Sequence, residues 1–468
     1  MFKNYLENKS APLIAFSIIF LLITNCSYAQ SPLPVIRSNN KAITFKTDKG
    51  IDGWNISPEL KPDILEVSVS NKPVRVTFIT GIDSISFTVN IGDKYDFIIL
   101  LNGKDSAYTQ VIGVKDNPAA IFSKTYIATH NNKTFIEVPE VYELVNIIFA
   151  ITDIGKNDSV LIYKHGDYYK NVLAWFDQYK NEPAIKKFNE LLQNGQYFFL
   201  KMDAYAFDFD KNDKIIKSDI YNRVAWGKVN TILPYISLLQ EFSNRSSFRK
   251  FYARNRITYD MQKSYFRDTL NITEMQQWLN KNFPDTKYNS FKVIFSPLVA
   301  RNQSANWFEN NGFKEAQAHV NFPYPSFRKD PKLSPAIDKI MAGNILFTEL
   351  NHAFINIEAN KYVTQIDNYL KDLTKWAAPD KPSRNYNNPT LCFNEYLNWA
   401  LVSLRIIDYV PSEQQDELIN SISKLGEGRG FKKFREFNQY LVRLYRNRKP
   451  GTTVADLYPQ VVEWFGKQ

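Results

Sequence analysis

The chain has 468 residues, 44 % of them apolar and 23 % charged, and its 58 Lys and Arg against 48 Asp and Glu give a formal charge of +10. That length and apolar content suffice for a sizeable core, which excludes a fold dependent on disulfide staples. No segment beyond residue 29 approaches the roughly 18 uninterrupted apolar residues of a membrane span. No nucleic-acid motif accompanies the positive charge, so nucleic acid is set aside as a partner.

Residues 1–29 read as a secretory signal peptide. Lys3 and Lys9 precede an apolar run from Ala11 to Ile23, and Ser27-Tyr28-Ala29 offers small residues for cleavage before Gln30. The expected location is periplasmic or extracellular. A lipid anchor through Cys26 competes, but Asn25 is bulky and polar where a small residue is wanted. Without that segment Cys392 stands alone between Leu391 and Phe393 and reads as a small buried hydrophobe.

From Leu33 to Gly113 β-branched and aromatic residues alternate at period two. Strands are expected at 64–69, 74–79, 85–89, 95–101 and 107–112, with a hairpin signal at Asn102-Gly103. Residues 30–115 are therefore expected to form an accessory β-sandwich. The stretch 116–133, with Asp116-Asn117-Pro118 and Asn131-Asn132, is expected to be a linker. Beyond it, 134–468 reads as a mainly helical domain with a small sheet, giving an α+β protein of two domains.

Pro139 opens a helix whose apolar face carries Val141, Leu144, Val145, Ile148 and Ile151. Further helices are expected at 166–179, 183–193, 228–252 and 272–282, then strands at 291–295 and 316–322. Helices follow near 363–377, 393–408, 413–424, 431–446 and 453–466, and Ser412 with Gln415 has the spacing of a capping box. Oxygen donors from Asp208 to Asp219 partly imitate a calcium loop, but Asp213 replaces the turn glycine and Asp219 the bidentate Glu, so a polar turn is the favoured reading. Between Arg429 and Lys449 basic residues alternate with Phe431, Phe434, Phe437, Leu441 and Leu444. That is an amphipathic helix whose basic face is either simply solvated or drawn to an anionic surface. The 27 Tyr, 34 Phe and 8 Trp would suit sugar stacking, though composition does not place them on a surface.

The segment Thr348-Glu349-Leu350-Asn351-His352 has the spacing of a zinc-protease helix, H-E-x-x-H, with Thr348 in place of the first His. Threonine is too short, and its hydroxyl too weak a ligand at neutral pH, to replace an imidazole. Upstream runs Ala316-Gln317-Ala318-His319-Val320-Asn321-Phe322, and downstream Phe393-Asn394-Glu395-Tyr396-Leu397-Asn398-Trp399-Ala400.

With these three features residues 290–410 resemble the gluzincin metallopeptidases, particularly their uncharacterised secreted bacterial relatives. The resemblance implies that 316–322 is the substrate-aligning edge strand, that Glu349 is the general base, and that His352 and Glu395 are ligands of a zinc ion. Zinc in such a set lowers the pKa of its bound water, and the Glu takes up the proton. Of the other histidines, His319 is the nearest replacement for the missing ligand. Two functions stay open: a degenerate, non-catalytic protein binding peptide or envelope polymer, and an active zinc peptidase with an atypical ligand set.

Overall fold

The computed structural model describes residues 32–468 apart from Lys49, Asn71, Lys104, Asp116 and 325–334. The signal-peptide and Cys26 readings lie outside the described residues. Eight strands come first: β1 (Val35–Ser38), β2 (Ala42–Thr47), β3 (Gly50–Asn55), β4 (Asp63–Val69), β5 (Val74–Ile79), β6 (Ser84–Val89), β7 (Lys94–Leu101) and β8 (Asp105–Lys115). They form two sheets, in the orders β1-β7-β8-β4 and β3-β2-β5-β6. Alternation at period two turns Val76, Phe78, Phe97, Ile99 and Val111 into the space between them. Phe78 and Phe97 meet there with ring centroids 5.1 Å apart. Asn102 and Gly103 take the positive φ expected at the hairpin. The predicted strands are all present; β1 to β3 were not individually predicted.

The stretch expected as a linker is a packed part of the second domain. It contains α1 (Lys124–His130), capped by Ser123, whose oxygen accepts from Tyr126 N, and it runs into β9 (Lys133–Glu137). Tyr126 donates to Glu315 Oε2 at 2.6 Å and so ties this stretch to the sheet. Of the turn-forming residues that suggested a linker, Asn131 is the C-cap of that short helix.

Helices α2 (Glu140–Ile151), α3 (Asp153–Asn157), α4 (Asp167–Phe176), α5 (Pro183–Gln193) and α6 (Tyr197–Asp203) precede the hairpin β10 (Phe207–Phe209) and β11 (Ile215–Lys217). The single helix expected over 228–252 is divided. Asn230 Oδ1 accepts from Ile232 N and Leu233 N, which holds 230–233 as a turn. Ser247, at φ +52°, then separates α7 (Ile236–Ser246) from α8 (Phe248–Arg254). After α9 (Arg256–Ser264) and α10 (Ile272–Asn282) come β12 (Ser290–Ser296), β13 (Ser304–Asn310) and β14 (Phe313–Asn321).

The central sheet has the order β13-β14-β12-β9. β12 lies parallel to both β9 and β14, and β13 is antiparallel at the edge. The 316–322 segment is thus an interior strand rather than the edge strand expected of it. The edge belongs to β13, joined to β14 by Asn311-Gly312 at positive φ. One face of the sheet carries Phe291, Val293, Ala316 and Ala318 and is covered by α11 (Pro335–Ala359), where Phe291 and Phe354 stack at 6.3 Å. The other face carries Lys292, Glu315, Gln317 and His319, all buried. Its polar groups pair under cover: Lys292 Nζ donates to Tyr205 OH at 2.7 Å, and Gln317 Nε2 to Glu315 Oε1 at 2.8 Å.

The remainder of the chain carries α12 (Val363–Tyr369), α13 (Pro389–Tyr409), α14 (Ser412–Gly428), α15 (Phe434–Arg446) and α16 (Val454–Gly466). The capping box expected at Ser412 is absent. Pro411 is the N-cap, and Gln415 Nε2 instead donates to the carbonyls of Ile407 and Val410 at the end of α13. A capping box occurs at Thr453–Asp456. Cys392 is fully buried, as its apolar neighbours implied. Among the described residues no helix is long and apolar enough to cross a membrane.

Candidate functional site

α11 and α13 lie side by side, and the residues singled out in the sequence meet between them. Most of α11 is buried, but Met341, Ile345, Glu349, His352 and Asn356, spaced three or four apart, form a stripe that keeps partial access to solvent. Glu395 faces it from α13, with a side chain only 4 % exposed. His352 Nε2 and Glu395 Oε2 are 3.7 Å apart.

An amide bridges these two atoms. Asn398 Nδ2 donates to His352 Nε2 at 2.9 Å and to Glu395 Oε2 at 3.3 Å. The two hydrogens of one NH2 group suit both acceptors, which fixes the amide's orientation. The ring hydrogen of His352 then sits on Nδ1, facing Asn356 Oδ1 at 3.3 Å. The other carboxylate oxygen, Glu395 Oε1, accepts from Trp399 Nε1 and from Arg429 Nη2, both at 2.9 Å. Arg429 follows the last residue of α14, lies over the Trp399 ring at 5.1 Å and also donates to Tyr386 OH at 3.0 Å.

Glu349 occupies the middle of the stripe. Burial is the largest influence on its carboxyl, and with Glu395 nearby it raises the pKa to about 7 against the opposing pull of His352, Lys201 and Arg429. Lys201, on α6, is fully buried and donates to Asn302 O at 2.7 Å. Burial brings its ammonium down to about 7, although Glu349 works the other way.

Glu349, His352 and Glu395 are therefore brought together, while two other residues considered at the sequence level are not. Thr348 is 1 % exposed, and its hydroxyl donates to Ile345 O on its own helix. His319 lies on the sheet face opposite α11, beside Tyr142 and Tyr205, with Nε2 directed to Gln317 Oε1 at 3.3 Å. The zinc ion that the resemblance implies needs three protein donors with free lone pairs. Here His352 Nε2 and both oxygens of Glu395 accept hydrogen bonds from Asn398, Trp399 and Arg429. Among the described residues no three His, Cys, Asp or Glu side chains group as a metal site requires.

Arg429, Asn398 and Lys201 were not singled out from the sequence. Asn398 had a signal, since it lies three residues after Glu395 on one helix. Arg429 was counted with a basic face, and nothing local marks it as the partner of Glu395. Much of the rest of that basic stretch is paired: Arg435 with Glu427 at 2.6 Å and Arg446 with Asp416 at 2.9 Å. The calcium-like segment forms the β10–β11 hairpin. Asp210 Oδ1 accepts from Asn212 N and Lys214 N, and Asp213 pairs with Arg249.

No curated protein and no solved structure matches this chain. A family model described as a domain of unknown function (DUF4932) matches residues 135–464, from within β9 to within α16. With more than two-thirds of its length matched, the chain belongs to that family.

Proposed function

We propose that this chain is an exported binding protein derived from a zinc peptidase, which holds an extended peptide in the groove along α11 and does not cleave it. The observation that carries this reading is the Asn398 amide seated between His352 Nε2 and Glu395 Oε2. The Arg429 guanidinium supplies the positive charge that a metal would otherwise give Glu395, and the Asn398 amide adds a neutral hydrogen-bond donor. The order of elements supports the ancestry. A strand, a helix with Glu349 and His352 and a second helix with Glu395 follow one another as the gluzincin resemblance implies, although that strand lies inside the sheet and not at its edge. The edge strand β13 offers main-chain groups to an extended segment. Beside it Trp226, half exposed, donates its indole N–H to Ala305 O at 3.1 Å and presents an aromatic surface to such a segment.

The competing reading is a working metallopeptidase, and one observation favours it: a Glu349 carboxyl near pKa 7 is suited to proton transfer at neutral pH. The discriminating experiment strips the chain, without residues 1–29, with chelator, reloads it with zinc and measures the metal ratio while an unstructured peptide is incubated with it. The expected result is zinc well below one per chain, with the peptide bound and intact. One zinc per chain, abolished by both His352→Ala and Glu395→Ala, with hydrolysis lost in Glu349→Gln, would install the peptidase instead.

A further inference from the structure

A cavity of about 300 Å³ is lined by none of Glu349, His352 and Glu395. It sits just past the carboxyl ends of the parallel strands β12 and β14, the place where open sheets with helical cover take ligands. Its wall is pinned to those strand ends. Tyr324 OH donates to Pro297 O at 3.1 Å, and Tyr163 N donates to Leu298 O at 2.7 Å. The rings of Tyr163 and Tyr324 stack at 4.1 Å with 10° between their planes. Beneath them Tyr168 OH donates to Glu143 Oε1 at 2.6 Å and shares a hydrogen bond with Tyr259 OH at 2.6 Å.

The lining is polar and unusual in what it omits. Asn171, Asn255, Thr258 and Gln262 contribute amides and a hydroxyl, Asp167 and His165 stand at the mouth, and among the described residues no lysine, arginine or aliphatic side chain lines it. Gln262 is only 7 % exposed. Its Nε2 makes a long bond of 3.4 Å to Tyr324 OH, and its buried Oε1 accepts from none of the described residues. A buried amide oxygen without a donor costs about 1–3 kcal/mol, so a hydroxyl delivered to it is bound with advantage.

Among the described lining residues no cation supplies the counter-charge that a phosphate or carboxylate ligand would need. The absence of aliphatic groups argues against a lipid. Burial raises the Glu143 carboxyl to about 8, and Asp167 at the mouth is paired with Lys170 at 3.1 Å, so neither carboxyl stands as an unpaired charge for an ammonium group. What remains is a neutral ring with C–H faces for tyrosine and hydroxyls for amides. We propose that this cavity binds one neutral sugar unit, its ring face against the tyrosine wall and a hydroxyl donating to Gln262 Oε1.

The test is saturation-transfer NMR on the folded chain with glucose, galactose and N-acetylglucosamine at millimolar concentration, and choline as the cationic probe. The expected result is transfer to the ring protons of at least one sugar and none to choline. Gln262→Leu, which keeps the side-chain volume, should weaken binding about tenfold, the equivalent of one hydrogen bond to a buried acceptor. Asn171→Ala, at the exposed mouth, should weaken it without any threat to folding, and Glu349→Gln should leave it unchanged. Transfer to choline alone, no transfer to any of the three sugars, or sugar signals that persist undiminished in both Gln262→Leu and Asn171→Ala would each overturn the assignment.

Discussion

Glu395 is a nearly buried carboxylate held by three N–H donors, and only Arg429 among them brings charge. Removing one partner of such a pair leaves the other ionised in a poor solvent. Arg429→Met should therefore destabilise the chain by about 3 kcal/mol, whereas Trp399→Phe, which removes a neutral donor, should cost about 1 kcal/mol. Urea unfolding of the two variants checks the order, and equal costs would deny Arg429 its role. Asp367 gives a pH dependence of its own. It is 3 % exposed, and burial raises its carboxyl to about 7 despite hydrogen bonds from Thr390 and Thr44. The unfolded group ionises near pH 4, so between about pH 4 and 7 the folded state holds a proton that the unfolded state has lost. This group's stabilisation is complete below pH 4 and falls as pH rises towards 7, by up to about 1.4 kcal/mol per pH unit. Asp367→Asn should flatten that slope in melting curves taken from pH 4 to 8. An unchanged slope would assign the pH dependence elsewhere.

At the scale of elements, the turn from α14 to α15 decides where Arg429 points. Phe434, the first residue of α15, packs against Gly426, and a Cβ added there would come 2.2 Å from the ring. Gly426→Ala should overpack this contact, costing about 1–3 kcal/mol, and should displace the turn that delivers Arg429. Gly428, one turn position on, has nothing within 4 Å of an added Cβ. Gly428→Ala should be neutral or stabilise by up to about 1 kcal/mol, because alanine has less chain entropy to lose. Thermal melts with opposite signs for the two substitutions are the expected outcome. Two losses of similar size would mean that helix length, not the Phe434 contact, governs the turn. The strands illustrate the same dependence on neighbours. β14 looked like an edge because it precedes the Glu349 helix, yet the Asn311-Gly312 hairpin folds β13 onto its outer side.

At the scale of the molecule there are two apolar cores, one in the sandwich and one in the family domain, with no buried residue in common. The seam between them is polar. Thr44 Oγ1 donates to Asp367 Oδ1 at 3.4 Å, Asn40 Nδ2 to Lys371 O at 3.1 Å, and Lys228 pairs with Glu66 at 3.3 Å. Contacts of this kind couple domains weakly. Calorimetry should resolve two unfolding transitions, and Lys228→Ala should leave both midpoints nearly unchanged, since an exposed pair contributes at most about 1 kcal/mol. A single cooperative transition would show the seam to be stronger than its contacts suggest.

By itself the sequence determined the strand-rich N-terminal domain, most helices of the second domain and the meeting of Glu349, His352 and Glu395. The elements follow from patterns within each of them, period-two alternation and three-to-four spacing, and Glu349 with His352 from a short motif on one helical face, whereas Glu395, on another helix, was expected beside them only through the gluzincin resemblance. The tertiary structure alone decided that β13 forms the edge, that His319 faces away from α11, and that Asn398 and Arg429 take up the acceptors of His352 and Glu395. Asn398 is 46 residues from His352, and Arg429 is 34 from Glu395. A hydrogen bond between residues so far apart leaves no mark in local periodicity, because it depends on how helices cross rather than on which residues each helix carries.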